Sequence, residues 1–475
     1  MKRIAAFCIP AHGHTNPMLP VVAELVRRGD EVRFYSFEEF REKIEKTGAA
    51  FVSCDAFLPA LSTREEERLK KVSSTEMTIQ DIRITLAMDD FLREEFERFR
   101  PDVVFTDSVC FWGKLNAWKY EVPMVVSTST FAFNQMSSQY MKNSPAEVAG
   151  LILGLPRVQR ALNSLKPYGY KIKGLFSLIQ TDNDTDSLVY TSRRFQPYAE
   201  SFSEHTLFAG PSLFSDAVPV KDAARPLVYI SMGTVINDRP DFYHKCIEAL
   251  KDLPVEVVIS CGKSVALESF DPLPENVRVY PSVDQLDVLS RSSLFLTHCG
   301  MNSVSESLYM AAPMLLYPQT NEQAAVARRV AEIGAGRLLK DDSAEGIRKA
   351  VLELLGTPDY AEAAQACSAD FRSCPGTAGA ADFIESAPHS SDGVDVIKEL
   401  GRASARCELL YSVLTVLVAV LLFRFLSKRF LWLYIIAVVL LGFPIKKAMQ
   451  NAAYRRLIRK LQTGGRHAAA EDKAE

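Results

Sequence analysis

The chain has 475 residues, 48 % hydrophobic and 24 % charged, which excludes bulk disorder and suits two domains with a remainder. A net charge of −3 argues against nucleic acid as the main partner. That mean conceals an asymmetry: from Gly401 onward there are 13 Lys/Arg against 4 Asp/Glu, so a tail of +9 follows a body of −12. The nine cysteines are scattered and include no C-x-x-C pair, which speaks against a disulfide framework or zinc site and fits a reducing compartment.

The opening MKRIAAFCIPAHGH has too short an apolar run for a secretion signal. Residues 4–9 read instead as a doubly covered parallel strand. A loop over residues 10–16 then leads to Pro17, which suits the first turn of a helix reaching Arg28 and closed by Gly29. Residues 31–36 and 49–54 read as strands, 81–99 as a helix, and PDVVFTD and residues 123–127 as further strands. This order implies a parallel, doubly wound sheet. Residues 131–190 are less regular and mostly helical. Phe131, Phe133, Met136, Tyr140 and Met141 are candidates there for an acceptor pocket, with core packing as the alternative.

The stretch 209–226 is rich in Pro, Ala and small residues and reads as a linker. A second alternation follows through LVYISMG, VEVVISC, VRVYPS, LFLTHCG and PMLLYP. Two such halves enclose a cleft in which ligands meet strand C-terminal ends. The expected partition is 1–208, a linker at 209–225, 226–386, a polar joint at 387–400, and a tail at 401–475.

Two stretches carry chemistry. AHGHTNP sets histidines at a strand end beside a helix start. In THCGMNSVSESLYMAAPMLLYPQTNEQ (297–323) a strand delivers His298 and Gly300, and Asn302 or Ser303 caps the next helix. The free N–H groups there suit the phosphates of a sugar nucleotide. Glu306 is placed to accept from ribose hydroxyls, and Glu322 and Gln323 suit sugar hydroxyls.

The second stretch resembles the donor-binding signature of UDP-glycosyltransferases, and AHGHTNP resembles the G-H-x-N-P loop of their macrolide-type bacterial branch. PLVYISMGTV (226–235) is similar to that family's second-domain opening, and the likeness spans roughly residues 1–385. It implies the GT-B fold: two Rossmann-like domains around a cleft. It also implies an inverting, metal-independent transfer of a hexose from a nucleotide sugar, with no cofactor beyond the UDP-sugar co-substrate. His14 would be the general base, with His12 the competitor, and Asp107 would orient the imidazole. His298 would meet the α-phosphate, and Asn302 and Ser303 the diphosphate with Ser231, Gly233 and Thr234. Val283 and Gln285 complete the donor-binding set. Where the family has a tryptophan for the nucleobase this chain has Ser282, so Tyr280 or backbone contacts must serve. Uridine is expected over thymidine, and glucose, galactose or N-acetylglucosamine as the sugar, with glucose first.

DNDTD (182–186) lacks a metal loop's glycine turn and final acid, and reads as a solvated loop. In the tail, residues 407–423 hold one charge (Glu408) and residues 430–445 none, each run slightly short of a spanning helix. With Arg455, Arg456, Arg459 and Lys460 beyond them, they imply a helical hairpin and basic segment at the cytosolic membrane face, spanning or re-entrant. A hydrophobic small molecule or lipid is the expected acceptor. A sugar-nucleotide 2-epimerase and a non-catalytic nucleotide-sugar sensor are the rival readings.

Overall fold

A computed structural model describes residues 1–58, 74–134, 136–141, 145–170, 172, 178, 184–214, 217–222, 224–233 and 237–389. Beyond these it describes 401–402, 405–406, 409–413, 415, 448–449, 451–452 and 454–456. By its contacts the chain divides into one unit of Met1–Ala199 with His205–His389 and another of Glu200–Glu204 with Ser390–Glu475.

The first unit is built on two parallel sheets. Strands β1 (Arg3–Phe7), β2 (Glu31–Ser36), β3 (Ala50–Ser53), β4 (Val103–Asp107), β5 (Met124–Thr128), β6 (Asp186–Val189) and β7 (Thr206–Phe208) run in the order β3-β2-β1-β4-β5-β6-β7. Strands β8 (Leu227–Ser231), β9 (Glu256–Ser260), β10 (Val277–Tyr280), β11 (Ser292–Thr297), β12 (Met314–Leu316) and β13 (Gly336–Leu338) run β10-β9-β8-β11-β12-β13. Both orders reverse beside the first strand of their half, which opens a crevice at the strand C-terminal ends. Central strands such as β4 and β8 are buried along their whole length, as continuous apolar runs require when helices cover both faces.

The helices of the first half are α1 (His12–Arg27), α2 (Arg41–Glu45), α3 (Ser74–Ala87), α4 (Asp89–Phe99), α5 (Phe111–Lys119) and α6 (Pro145–Ser164). Those that follow are α7 (Pro240–Leu250), α8 (Gln285–Arg291), α9 (Met301–Tyr309), α10 (Asn321–Glu332), α11 (Ala344–Gly356), α12 (Pro358–Arg372) and α13 (Gly376–Glu385).

Several local expectations are corrected. α1 starts at His12 and holds Pro17 and Pro20 inside it, so AHGHTNP is helix and not loop. The helix expected over 81–99 is two, and the second ends on left-handed Arg100 before Pro101. Of the residues named between 131 and 141, Phe131 and Met136 are buried, Phe131 in the cluster that also holds Val326, Ala327 and Val330 of the second half, with Phe133 and Tyr140 packed against it, which is the core-packing alternative. α13 does not stay with the second half. Ala380, Ala381, Phe383 and Ile384 pack into the first core, and Arg28 pairs with Asp382 and Glu385 at 2.6 and 2.5 Å.

The chain crosses between the halves at two neighbouring points. The outgoing crossing passes Ala209 and Gly210, and the returning one passes Cys374 and Gly376. Gly376 N–H donates to the Ala209 carbonyl at 2.8 Å. Gly210, at φ +78, lies so close that a Cβ there would stand 2.8 Å from Cys374 Cβ.

In the second unit the described residues of 401–415 and 448–456 are helical. The expected hairpin of residues 407–445 falls almost wholly outside the described residues, as do Arg459 and Lys460. Among those described, no helix is long and apolar enough to cross a membrane.

Candidate active site

β1 and β4 are parallel neighbours, with Phe7 beside Thr106. The chain leaving β1 turns through Pro10 into α1, so His14 stands in a first helical turn next to the residue that ends β4. Residues 93 positions apart thereby meet: His14 Nδ1 donates to Asp107 Oδ2 at 2.7 Å. The Asp107 side chain is fully buried, and its Oδ1 accepts the Val109 N–H at 3.0 Å. Ser129 Oγ, just beyond β5, lies 3.1 Å from the same His14 nitrogen.

With Nδ1 held as the N–H, Nε2 keeps the lone pair and can accept a proton. Burial alone would lower the His14 pKa. The charge and hydrogen bond of Asp107, with smaller contributions from Glu322 and Asp81, outweigh it and leave the pKa raised. His12 is engaged elsewhere: Nε2 pairs with Glu39 Oε1 at 2.9 Å, and the ring sits edge-on to Phe40.

The other side of the crevice is built where β8 and β11 end side by side, Ser231 opposite Thr297. His298 follows directly, and glycines flank its ring. A Cβ on Gly233 would come within 2.5 Å of it and one on Gly300 within 2.6 Å, and Gly233 also sits at φ +78. His298 Nδ1 is buried and, among the described residues, has no hydrogen-bond partner. Burial pushes its pKa down to about 4, so at neutral pH this ring is uncharged.

Gly300 is the N-cap of α9, and no side chain caps that helix. Neither Asn302 nor Ser303 therefore caps it, because the position nearest His298 admits only glycine. Asn302 instead reaches the first half, where its Nδ2 donates to the Gly13 carbonyl at 2.8 Å. Gln285 Nε2 donates to Ser303 Oγ at 3.1 Å and to Glu306 Oε2 at 2.6 Å, and Tyr229 OH donates to Gln285 Oε1 at 3.3 Å. Burial raises the Glu306 pKa to about 7.

Val283 is partly buried against the core, whereas Tyr280 and Ser282 are exposed along a groove of about 500 Å³. Gln323 departs from its expected use. Its Oε1 accepts from the Gln319 and Thr320 N–H groups while Thr320 Oγ1 accepts the Gln323 N–H, a capping box that opens α10. Glu322 is exposed, and its charge reaches His14. Thr234 lies outside the described residues.

Sequence reasoning missed two polar groups beside His14. One is Ser129. The other is Asp81 on α3, whose carboxyl is held well above its ordinary range by burial and by the charge of Asp107. Thr78, Asp81 and Thr85, at helical spacing between two apolar faces of α3, were the available signal. DNDTD is corrected at its last residue: residues 182 and 183 lie outside the described residues and Asp184 is exposed, but Asp186 is buried at the start of β6, accepting from His205 Nδ1 at 2.6 Å and from the His389 N–H at 2.9 Å.

The UDP-glucoronosyl and UDP-glucosyl transferase family model matches residues 216–375. The chain is 34 % identical over 395 residues to NDP-glycosyltransferase YjiC of Bacillus licheniformis, covering 81 % of this chain and 97 % of the relative. Among solved structures it is similar to the glycosyltransferase of kitacinnamycin, with TM-score 0.67 and 27 % identity over 81 % of this chain and 98 % of that one. It is likewise similar to the calicheamicin glycosyltransferase CalG4, with TM-score 0.67 and 26 % identity over 82 % and 100 %.

Proposed function

The chain belongs to the UDP-glucoronosyl and UDP-glucosyl transferase family and is a glycosyltransferase; from that premise we infer that it moves a hexose, with inversion, from a UDP-sugar to a hydroxyl of a hydrophobic acceptor. The observation that carries the reading is a paired one. His14 bonds Asp107 at 2.7 Å, and the adjoining Gly13 bonds Asn302 of the uncapped helix α9 at 2.8 Å. A base and an anion-binding helix end thus adjoin across one crevice.

His14 Nε2 takes the proton of the acceptor hydroxyl as its oxygen attacks the anomeric carbon, and the bond to the diphosphate breaks on the opposite face. Asp107 holds the ring's tautomer and stabilises the imidazolium that forms. Charge grows on the departing diphosphate. The α9 N-terminus, Ser231, Asn302, Ser303 and neutral His298 offer hydrogen bonds to it. Gln285 and Glu306 take the ribose, and Glu322 the sugar.

A small-molecule acceptor is supported by the structural neighbours, which are named for kitacinnamycin and calicheamicin. Attachment to the cytosolic membrane face through residues 407–445 and the basic tail rests on composition alone.

The test is UDP release from UDP-glucose by the purified protein, with and without a pool of lipids, sterols and phenols. Acceptor-dependent release is expected. UDP release indifferent to every acceptor, or none from UDP- or dTDP-sugars, would sink the reading. Removing residues 401–475 should leave an enzyme that no longer sediments with membranes, and continued sedimentation would refute the attachment.

A further inference from the structure

In an α-helix the carbonyl of residue 13 accepts from the N–H of residue 17. Here residue 17 is proline, which has no N–H, so the Gly13 oxygen lacks its helical donor. Asn302 supplies one from the other half of the molecule, 289 positions along the chain. An acceptor carbonyl can be met only by the NH2 end of the amide, and that end has two hydrogens. One is on Gly13; the other remains for an acceptor at the N-terminal turn of α9, where His298 Nδ1 is also buried with no partner among the described residues. The carbonyl being held belongs to the peptide unit that joins Gly13 to His14. Because that unit is planar, fixing its oxygen fixes the plane from which the His14 side chain departs.

We propose that Asn302 is a positioning residue for His14. Through one hydrogen it holds the Gly13–His14 peptide, and through the other it meets the diphosphate of the donor, so that donor occupancy and the placement of the base are coupled. This rests on the donor reading of the α9 N-terminus given above. Pro17 is the enabling residue, since it keeps the Gly13 carbonyl out of the helix's own ladder and available to the opposite half. The coupling gives the enzyme a base that is set when a nucleotide sugar is present, whichever acceptor then arrives.

Pro17→Ala isolates the effect, because it returns an N–H to residue 17 and removes nothing that touches the donor. In this variant kcat should fall about tenfold to a hundredfold, the range expected when a base is displaced by an ångström or less. Its UDP affinity should stay within about twofold of wild type, the range of an undisturbed site. Asn302→Ala should lower kcat similarly and add nothing further in the Pro17→Ala background, although it weakens UDP binding in both. A wild-type kcat in Pro17→Ala, or kcat losses that multiply in the double variant, would overturn the proposal. A readout without turnover separates it from its premise: the histidine-labelled full-length chain followed by NMR as UDP is added. The His14 ring signals should respond to UDP in wild type and not in Pro17→Ala. An equal response in both overturns the coupling alone, whereas failure of UDP to bind at all overturns the donor reading and the coupling with it.

Discussion

Two histidines face one crevice from the two halves, His14 in the first turn of α1 and His298 directly after β11, and their surroundings drive them in opposite directions. His14 is beside a buried carboxylate and its pKa is raised, while His298 is walled by glycine and its pKa falls to about 4. Both are desolvated, so burial does not distinguish them; the neighbour does. A ring paired with Asp107 is prepared to become charged. A ring with no carboxylate partner stays neutral and can offer a hydrogen bond to phosphate without titrating. Under the proposed function, one fold would hold a proton acceptor and a non-ionising phosphate ligand made of the same side chain.

The sharpest way to break this contrast is His14→Ala. Transfer should fall by about 10²–10⁴, the usual worth of a general base, with UDP binding intact by calorimetry. Activity kept within tenfold would end the assignment. Asp107→Asn comes next, with a loss of about 10²-fold and a displaced pH profile. The wild-type acid limb of kcat/KM should lie above the ordinary histidine value of about 6.5, because activity needs neutral His14 and its pKa is raised. Removing the carboxylate should move that limb to lower pH, and an unmoved limb would mean another group titrates.

Gly300→Ala places a methyl 2.6 Å from the His298 ring and should weaken donor binding about tenfold, roughly 1.4 kcal/mol, while kcat at saturating donor changes less. The smallest effect concerns Glu306. Its pKa of about 7 means that the carboxylate, the better acceptor for ribose hydroxyls, forms as pH rises through neutrality. UDP-glucose affinity should therefore strengthen about two- to fourfold across that window, the low end of the net contribution of one hydrogen bond. In Glu306→Gln that contribution should be lost, since His298 at about 4 adds none above pH 5; a dependence unchanged from wild type would mean that another group, such as His14, titrates.

The alternation of apolar runs with helix signals suffices for β1–β5 and β8–β12, because parallel strands buried on two faces are continuous in sequence; β6, β7 and β13, only three or four residues long, escape it. The proposed donor side can be picked out as a group, since His298, Gly300, Asn302, Ser303 and Glu306 all lie within one strand–helix junction. The base side is not. His14 and His12 are equivalent until β1 and β4 are paired, because only tertiary contact gives one to Asp107 and the other to Glu39. Ser129 is invisible for the same reason, and Asp81 is marked only by its helical spacing with Thr78 and Thr85. Pro17 misleads in a specific way: proline favours a first turn, yet here it lies inside α1 because Asn302 answers the carbonyl that it leaves unmatched. Gln323 and Asp186 show the same limit, each polar group being claimed by backbone or a distant histidine that no spacing rule anticipates.

The paired crossings at Ala209–Gly210 and Cys374–Gly376 have a mechanical meaning. Two chain segments pinned side by side, with Gly376 N–H on the Ala209 carbonyl and a glycine packed on Cys374, form a single pivot in place of two separated tethers. A body suspended from one pivot can swing but cannot readily slide or unscrew. The crevice should therefore open and shut along one arc, bringing Asn302 back to the same carbonyl each time it shuts.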